Sequence, residues 1–185
     1  AAAGQDPLAF RLAHLEGARA IAVLKAAAER YGWEARPAGA NADRSGKPAH
    51  GRGIAWVNRD DARVATIADV TVDPGSGRIK VGRVVVAHDC GLVINPGGLK
   101  NQIEGNIIQS LSRTLLEEVT FDSARVTSLD WQGYPILRFE DIPDSIEIVL
   151  VNNRPEYPSY GAGEPSTNPT AAVISNAVFD AVGVR

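Results

Sequence analysis

The sequence predicts an α+β fold, a mixed or antiparallel sheet with helices packed on it, and three observations point there. Residues 64–72 alternate Val64, Thr66, Ala68, Val70 and Val72 with Ala65, Ile67, Asp69 and Thr71, the period of two expected of a strand. Asp73-Pro74-Gly75-Ser76-Gly77 is turn chemistry, because proline presets one turn dihedral and glycine accepts positive φ. Leu99, Ile103, Ile107, Leu111 and Leu115 then recur at four-residue spacing, one apolar stripe of a helix.

The remaining elements follow in chain order. Asp6-Pro7 opens a helix, with aspartate as N-cap and proline at the first helical position, and Leu8, Leu12 and Leu15 continue it. Gly17 breaks that pattern. A second helix carries Ile21, Leu24 and Ala28 on one face and stops at Gly32. Residues 34–50 are rich in Ala, Gly, Pro and Asn and read as a linker, dividing a helical segment and linker at 1–49 from an α+β region at 50–185. Residues 53–58 form a strand, and 79–88 return antiparallel to 64–72. Asn95-Pro96-Gly97-Gly98 leads into the helix of the apolar stripe. Further strands are expected at 114–122 and 145–151, the latter so apolar that a central position is expected. A Gly/Pro/Ser-rich loop fills 157–169, and a last helix spans 170–182 with Val173, Ala177 and Val178 facing inward.

Composition narrows the function more than it names it. The 185 residues suffice for one sizeable core or two small lobes, and 44% hydrophobic with 22% charged residues is an ordinary globular balance. A net charge of −3 without a basic stripe argues against a nucleic-acid partner. No apolar run approaches the roughly 20 residues that cross a bilayer. Cys90, the one cysteine, makes neither an internal disulfide nor a zinc site, and His14, His50 and His88 have no ligand spacing. A metal at this protein is expected to be held by something other than its side chains. Methionine is absent and Ala1-Ala2-Ala3-Gly4 resembles neither a translation start nor a signal peptide, so the chain reads as a fragment or a processed subunit.

Two segments stand out chemically. Gly161-Ala162-Gly163-Glu164-Pro165-Ser166 sets a carboxylate among glycines just before a helix. Glycine lets backbone approach a ligand closely, and a held carboxylate in such a loop is a candidate general base. The plainer alternative is that Glu164 complements the end of the helix beginning near Thr170. The second segment is the polar stripe opposite the apolar one, with Gln102, Gly105, Asn106, Gln109 and Ser110. Its amides donate and accept, and Gly105 admits a close planar neighbour; the alternative is a solvated helix face. Cys90, beside Asp89 and Gly91, reads as a buried structural cysteine, Glu140-Asp141 as a turn surface, and Gly51-Arg52-Gly53 lacks the helix that a phosphate loop requires.

The order of segments then resembles the final region of the large subunits of the xanthine dehydrogenase and aldehyde oxidase family. The resemblance rests on Asp6-Pro7-Leu8-Ala9-Phe10-Arg11-Leu12, His88-Asp89-Cys90-Gly91-Leu92-Val93-Ile94-Asn95-Pro96, Asn101-Gln102-Ile103-Glu104-Gly105, Tyr134-Pro135-Ile136-Leu137-Arg138 and Gly161-Ala162-Gly163-Glu164-Pro165. Within the family it is most similar to the branch of the isoquinoline 1-oxidoreductase β subunits. It implies the C-terminal part of a molybdopterin-binding domain, in a molybdenum hydroxylase that oxidises an aldehyde or N-heteroaromatic carbon with water as oxygen source. Glu164 would be the base toward a molybdenum-bound hydroxide. Gln102, Gly105, Gly161 and Gly163 would contact a molybdopterin, in a dinucleotide form, whose dithiolene holds the metal. Implied partners are the remainder of the large subunit or a second chain completing the pocket, and a subunit carrying iron–sulfur clusters. The alternative is a non-catalytic structural or assembly domain with the family fold, inactive as an isolated fragment. Localisation stays open between bacterial cytoplasm and periplasm.

Overall fold

A computed structural model describes residues 3–40, 42–151 and 155–184. Its first helix, α1 (Pro7–His14), starts where Asp6 accepts from the N–H groups of Leu8 and Ala9 at 3.0 and 2.8 Å. The other Asp6 oxygen accepts from Trp33 Nε1 and the Arg36 N–H, each at 3.0 Å, so one side chain fixes both α1 and the segment after the next helix. That helix, α2 (Ala18–Tyr31), begins after Gly17 and ends at Gly32, whose φ of 77° closes it by returning its N–H to Ala28 and Glu29.

Four strands form one mixed sheet in the order β1-β2-β3-β4: β1 (Ala49–Arg59), β2 (Ala62–Asp73), β3 (Arg78–Asp89) and β4 (Ser145–Leu150). The first three are antiparallel neighbours, and β4 runs parallel to β3. Asp60 and Asp61 join β1 to β2 with positive φ at both positions, the two-residue turn whose twist matches a hairpin. The second hairpin, β2 to β3, turns at the expected 73–77 segment and shifts register between Ala68 and Val70.

Each face of the sheet has its own helical cover. Val23, Leu24 and Ala27 of α2 pack with Ile54, Ala65, Ile67 and Ala87 on one side. On the other, α3 (Pro96–Leu115) and α4 (Thr170–Val182) bring Ile103, Ile107, Leu111, Val173 and Ala177 against Val64, Ala68, Val70, Val84 and Val86. The alternation read along β2 thus sorts its side chains between two cores. Full burial of a leucine or isoleucine such as Leu24, Ile67 or Ile107 contributes about 1.5–3 kcal/mol. The glycines of Gly51-Arg52-Gly53 serve this packing. A Cβ at Gly51 would lie 2.2 Å from the Ala177 carbonyl oxygen, and one at Gly53 would lie 2.0 Å from that of Val173, so α4 rests its backbone directly on β1.

Two expectations are corrected. Residues 114–122 are not a strand: α3 runs through Leu115, the fifth position of its apolar stripe, and the Thr114 hydroxyl bonds back to the Ser110 carbonyl at 2.6 Å. Beyond it only an isolated bridge joins Phe121 to Val126. β4 is not central but lies at the sheet's edge. Its Ile146, Ile148 and Leu150 pack on the α3 side, while Glu147 pairs with Arg83 and Arg30, each at 2.5 Å. Alternation in so short a run was masked by its isoleucines and valine.

Candidate active site

The site forms where the C-terminal end of β3, the exposed face of α3 and the 157–169 loop converge. The α3 helix starts at Asn95, whose side chain accepts from the Gly98 N–H at 2.9 Å. Gln102 follows on the exposed face, and its Nε2 donates to the Gly163 carbonyl at 2.7 Å across 61 residues of sequence. Gly105 lies three residues further on the same helix and is exposed. Nothing lies within 4 Å of where a Cβ would stand at Gly105, Gly161 or Gly163. The predicted polar stripe divides: Gln102, Gly105 and Gln109 face outward, whereas Asn106 and Ser110 are buried.

The loop is fastened upstream of Glu164 by β3's continuation. The Tyr160 N–H donates to the Cys90 carbonyl at 2.8 Å, and Gly91 bridges to Ser159. Gly91 takes φ of 73°, and a Cβ there would sit 2.1 Å from the Pro158 carbonyl oxygen, so this approach requires glycine. Arg19 at the start of α2 reaches the same place. It grips the buried Asp89 carboxylate through Nε at 2.8 Å and Nη2 at 2.6 Å, and its guanidinium stacks over the rings of Tyr157 and Tyr160. Cys90 is buried as expected, and burial pushes its thiol pKa up, away from reactivity.

Glu164 itself stands out from the surface, its side chain 67% exposed, with its carboxylate 2.8 Å from Nη2 of Arg59 at the end of β1. It precedes a 3-10 turn at Pro165–Thr167 and makes no side-chain capping bond there. The α4 helix likewise has no side-chain cap, its N-cap position being Pro169. Glu164 therefore completes neither helix end. Its backbone is held instead: the carbonyl accepts from the Thr167 N–H at 2.9 Å and the Thr167 hydroxyl at 2.8 Å.

Below the loop lies a buried polar layer that sequence patterning does not show. His88, near the end of β3, places Nδ1 3.0 Å from the Ser166 hydroxyl, both residues being buried. Burial pushes the His88 imidazole down to about 4, against the opposing pull of Asp89, so the ring is neutral near pH 7. Among the described residues, the buried side-chain atoms without a partner are His88 Nε2, Thr66 Oγ1 and Asn106 Nδ2. Leaving such a group unpaired costs about 1–3 kcal/mol. Thr66 and His88 are on adjacent strands and the same sheet face, since Thr66 pairs with Val86. Arg59 and His88 are the residues that sequence reasoning missed; the only local sign was a histidine directly after the apolar run Val84-Val85-Val86-Ala87.

The donor set suits an organic cofactor rather than a bare metal ion. It consists of a side-chain amide, glycine backbone and one carboxylate, and no cluster of three His, Cys, Asp or Glu side chains occurs among the described residues. The more enclosed cavity, about 280 Å3 between α1, β1 and α4, is lined by Phe10, Arg52, Ile54 and Phe179 and does not touch these residues. The Glu164 site is an open surface, with room for another layer above it.

Comparisons with known proteins give the family. Residues 61–143, which include Gln102 and Gly105 but stop short of Glu164, match the molybdopterin cofactor-binding domain. The whole chain is 42% identical to a stretch of a nicotinate dehydrogenase from Pseudomonas putida, covering 16% of that enzyme's matched polypeptide. Over 79% of its length it is 36% identical to the β subunit of isoquinoline 1-oxidoreductase from Brevundimonas diminuta, covering 18% of that protein. The chain thus spans less than a fifth of the length of these relatives. Among solved structures, quinoline 2-oxidoreductase from Pseudomonas putida 86 superposes on 64% of the chain and 16% of its own, with TM-score 0.59 and 31% identity. Aldehyde oxidoreductase from Desulfovibrio gigas covers 67% of the chain and 14% of its own, with TM-score 0.59 and 30% identity. The chain belongs to the molybdopterin-binding family of xanthine dehydrogenase-type large subunits.

Proposed function

We propose that this chain is part of the cofactor-binding subunit of a molybdenum hydroxylase, an oxidoreductase using water as its oxygen source, with Glu164 as general base. The observation that carries the reading is the Gln102–Gly163 hydrogen bond, which joins the exposed face of α3 to the Glu164 loop. One surface then presents an amide, three glycines with open space above them, and a carboxylate.

Bound molybdopterin, in a dinucleotide form with its molybdenum, would supply the two-electron acceptor that no side chain provides. The residues of this chain do the rest. Gln102 donates one amide hydrogen to Gly163, leaving a second N–H and its Oε1 to orient a pterin. Gly105, Gly161 and Gly163 let a flat ring system approach backbone. Glu164 accepts a proton at its carboxylate from the oxygen nucleophile as that oxygen attacks the substrate carbon, a role that contributes about 100- to 10,000-fold in rate. The remainder of the large subunit would close the pocket, and iron–sulfur clusters on a partner subunit would carry electrons away.

The names of two relatives, nicotinate dehydrogenase and isoquinoline 1-oxidoreductase, favour an N-heteroaromatic substrate over an aldehyde. In the assembled enzyme, Glu164→Gln is expected to lower turnover at least about 100-fold with molybdenum and pterin content retained. Cofactor and fold lost together would instead favour a structural or assembly role. Turnover of nicotinate, quinoline and an aldehyde side by side separates the substrate classes.

A further inference from the structure

We infer that His88 is a positioning residue for Glu164, acting through Ser166; this rests on Glu164 being the base. The 3-10 turn at Pro165–Thr167 has two faces. Its leading residue, Glu164, projects outward, while Pro165 and Ser166 are buried beneath it. Ser166 uses its carbonyl to accept from the Thr170 hydroxyl at 3.2 Å, which ties the turn to α4. Its hydroxyl is left for His88 Nδ1 at 3.0 Å. Pro165 fixes one backbone dihedral between them and Thr167 holds the Glu164 carbonyl, so the orientation of Ser166 restricts that of Glu164. A hydrogen bond at Ser166 is therefore a hold on the carboxylate two residues away.

His88 suits that role better than a surface side chain would. It sits on β3, flanked by β2 and β4, and its own backbone carbonyl accepts from the Val151 N–H at 2.9 Å. The ring is buried against the face covered by α3 and α4, so it brings the rigidity of the sheet to the loop. Gln102 fastens the loop at Gly163 and His88 fastens it at Ser166, leaving Glu164 between two fixed points. A base must be placed within a few tenths of an ångström of its proton, and displacements near 1 Å cost about 100-fold in rate.

The test uses the cofactor-loaded, full-length enzyme. His88→Ala and Ser166→Ala are each expected to lower kcat about 10- to 100-fold with KM nearly unchanged. The double variant should fall no further than either single one, since both remove the same bond. His88→Asn keeps a polar group near the position of Nδ1 and is expected to restore most of kcat. Amide hydrogen exchange across residues 161–168 should rise in His88→Ala and Ser166→Ala but not in His88→Asn. If His88→Ala does not fold, Ser166→Ala and His88→Asn carry the comparison. Wild-type kcat in Ser166→Ala, additive losses in the double variant, or unchanged exchange across the loop would overturn the inference. Glu164→Gln serves as the parallel control. Full turnover there would remove the base assignment, while the exchange data would still report whether His88 holds the loop.

Discussion

Arg59 Nη2 lies 2.8 Å from the Glu164 carboxylate, joining the end of β1 to the loop before α4. Both side chains are well exposed, so water and salt screen the pair. Arg59→Ala is expected to change stability by about 1 kcal/mol or less, and added salt should erase even that difference. Urea unfolding at low and high ionic strength measures it. A loss of several kcal/mol would show that the pair holds the fold together, and would remove Arg59 from consideration as a group free to respond to a ligand.

Arg36 and Asp180 make the opposite case. Asp180 is buried and accepts from both Arg36 guanidinium ends, from Gly39 N–H at 2.9 Å and from Arg52 N–H at 3.0 Å. Burial pushes its carboxyl up, but the Arg36 guanidinium and the two N–H groups outweigh burial and hold the pKa below its ordinary value. Removing the carboxylate strands a guanidinium and two backbone donors. Asp180→Ala is expected to cost about 3 kcal/mol, read as a lower urea midpoint at unchanged slope. A shift comparable to that of Arg59→Ala would contradict it.

His88 predicts a specific acid response. Its pKa is about 4 in the folded chain against 6.5 for an unperturbed imidazole. Between those values the unfolded chain binds the extra proton, so stability is complete above about pH 6.5 and declines as the pH falls toward 4. The full loss amounts to about 3 kcal/mol. Asp180, with its carboxyl held low, adds its own loss only below the ordinary carboxylate range, near pH 4. Unfolding free energies of wild type and His88→Asn should therefore converge in slope above pH 6.5 and diverge below it. Parallel profiles from pH 7 to 4 would refute the buried neutral ring.

Gly91→Ala tests the fastening of the loop. A Cβ there meets the Pro158 carbonyl oxygen at 2.1 Å and the Tyr160 ring at 2.9 Å, on backbone already at φ of 73°. The expected cost is about 2 kcal/mol. Hydrogen exchange should rise at Tyr160, whose N–H bonds the Cys90 carbonyl. Exchange unchanged at Tyr160 would mean that the loop is held elsewhere.

The elements legible in the sequence were those specified by neighbours in the chain. Asp6-Pro7, Gly32, the 73–77 turn and the stripe from Leu99 to Leu115 each specify their structure within a few residues, and each is observed. The strand expected at 114–122 failed because Thr114 and Val119 favour extended backbone only where packing does not decide, and the Leu111–Leu115 spacing had already committed the helix. β4 looked central because four apolar residues obscure one glutamate, yet that glutamate marks its polar side. At the site, the family resemblance gathers Gln102, Gly163 and Glu164 around one cofactor, but the direct bond between Gln102 and Gly163 has no signature in the sequence. Contacts such as Gln102–Gly163 and His88–Ser166, 61 and 78 residues apart, leave no periodic trace; they arise only when the sheet sets β3 beside α3.

The bare backbone contact between α4 and the glycines of β1 also governs the order in which this polypeptide becomes able to fold on the ribosome. The surface of β1 and β2 that α4 covers is completed by residues 170–182, near the end of the described chain. Until they leave the exit tunnel, Val64, Ala68 and Val70 lack that part of their cover, and Arg36 waits for an acceptor 144 residues downstream. The β2–β3 hairpin, closed by a short turn, forms early at little entropic cost. Completion of this core, and with it the seating of the Glu164 loop, follows the emergence of residues 170–182, because part of the β1–β2 surface stays uncovered until they join it.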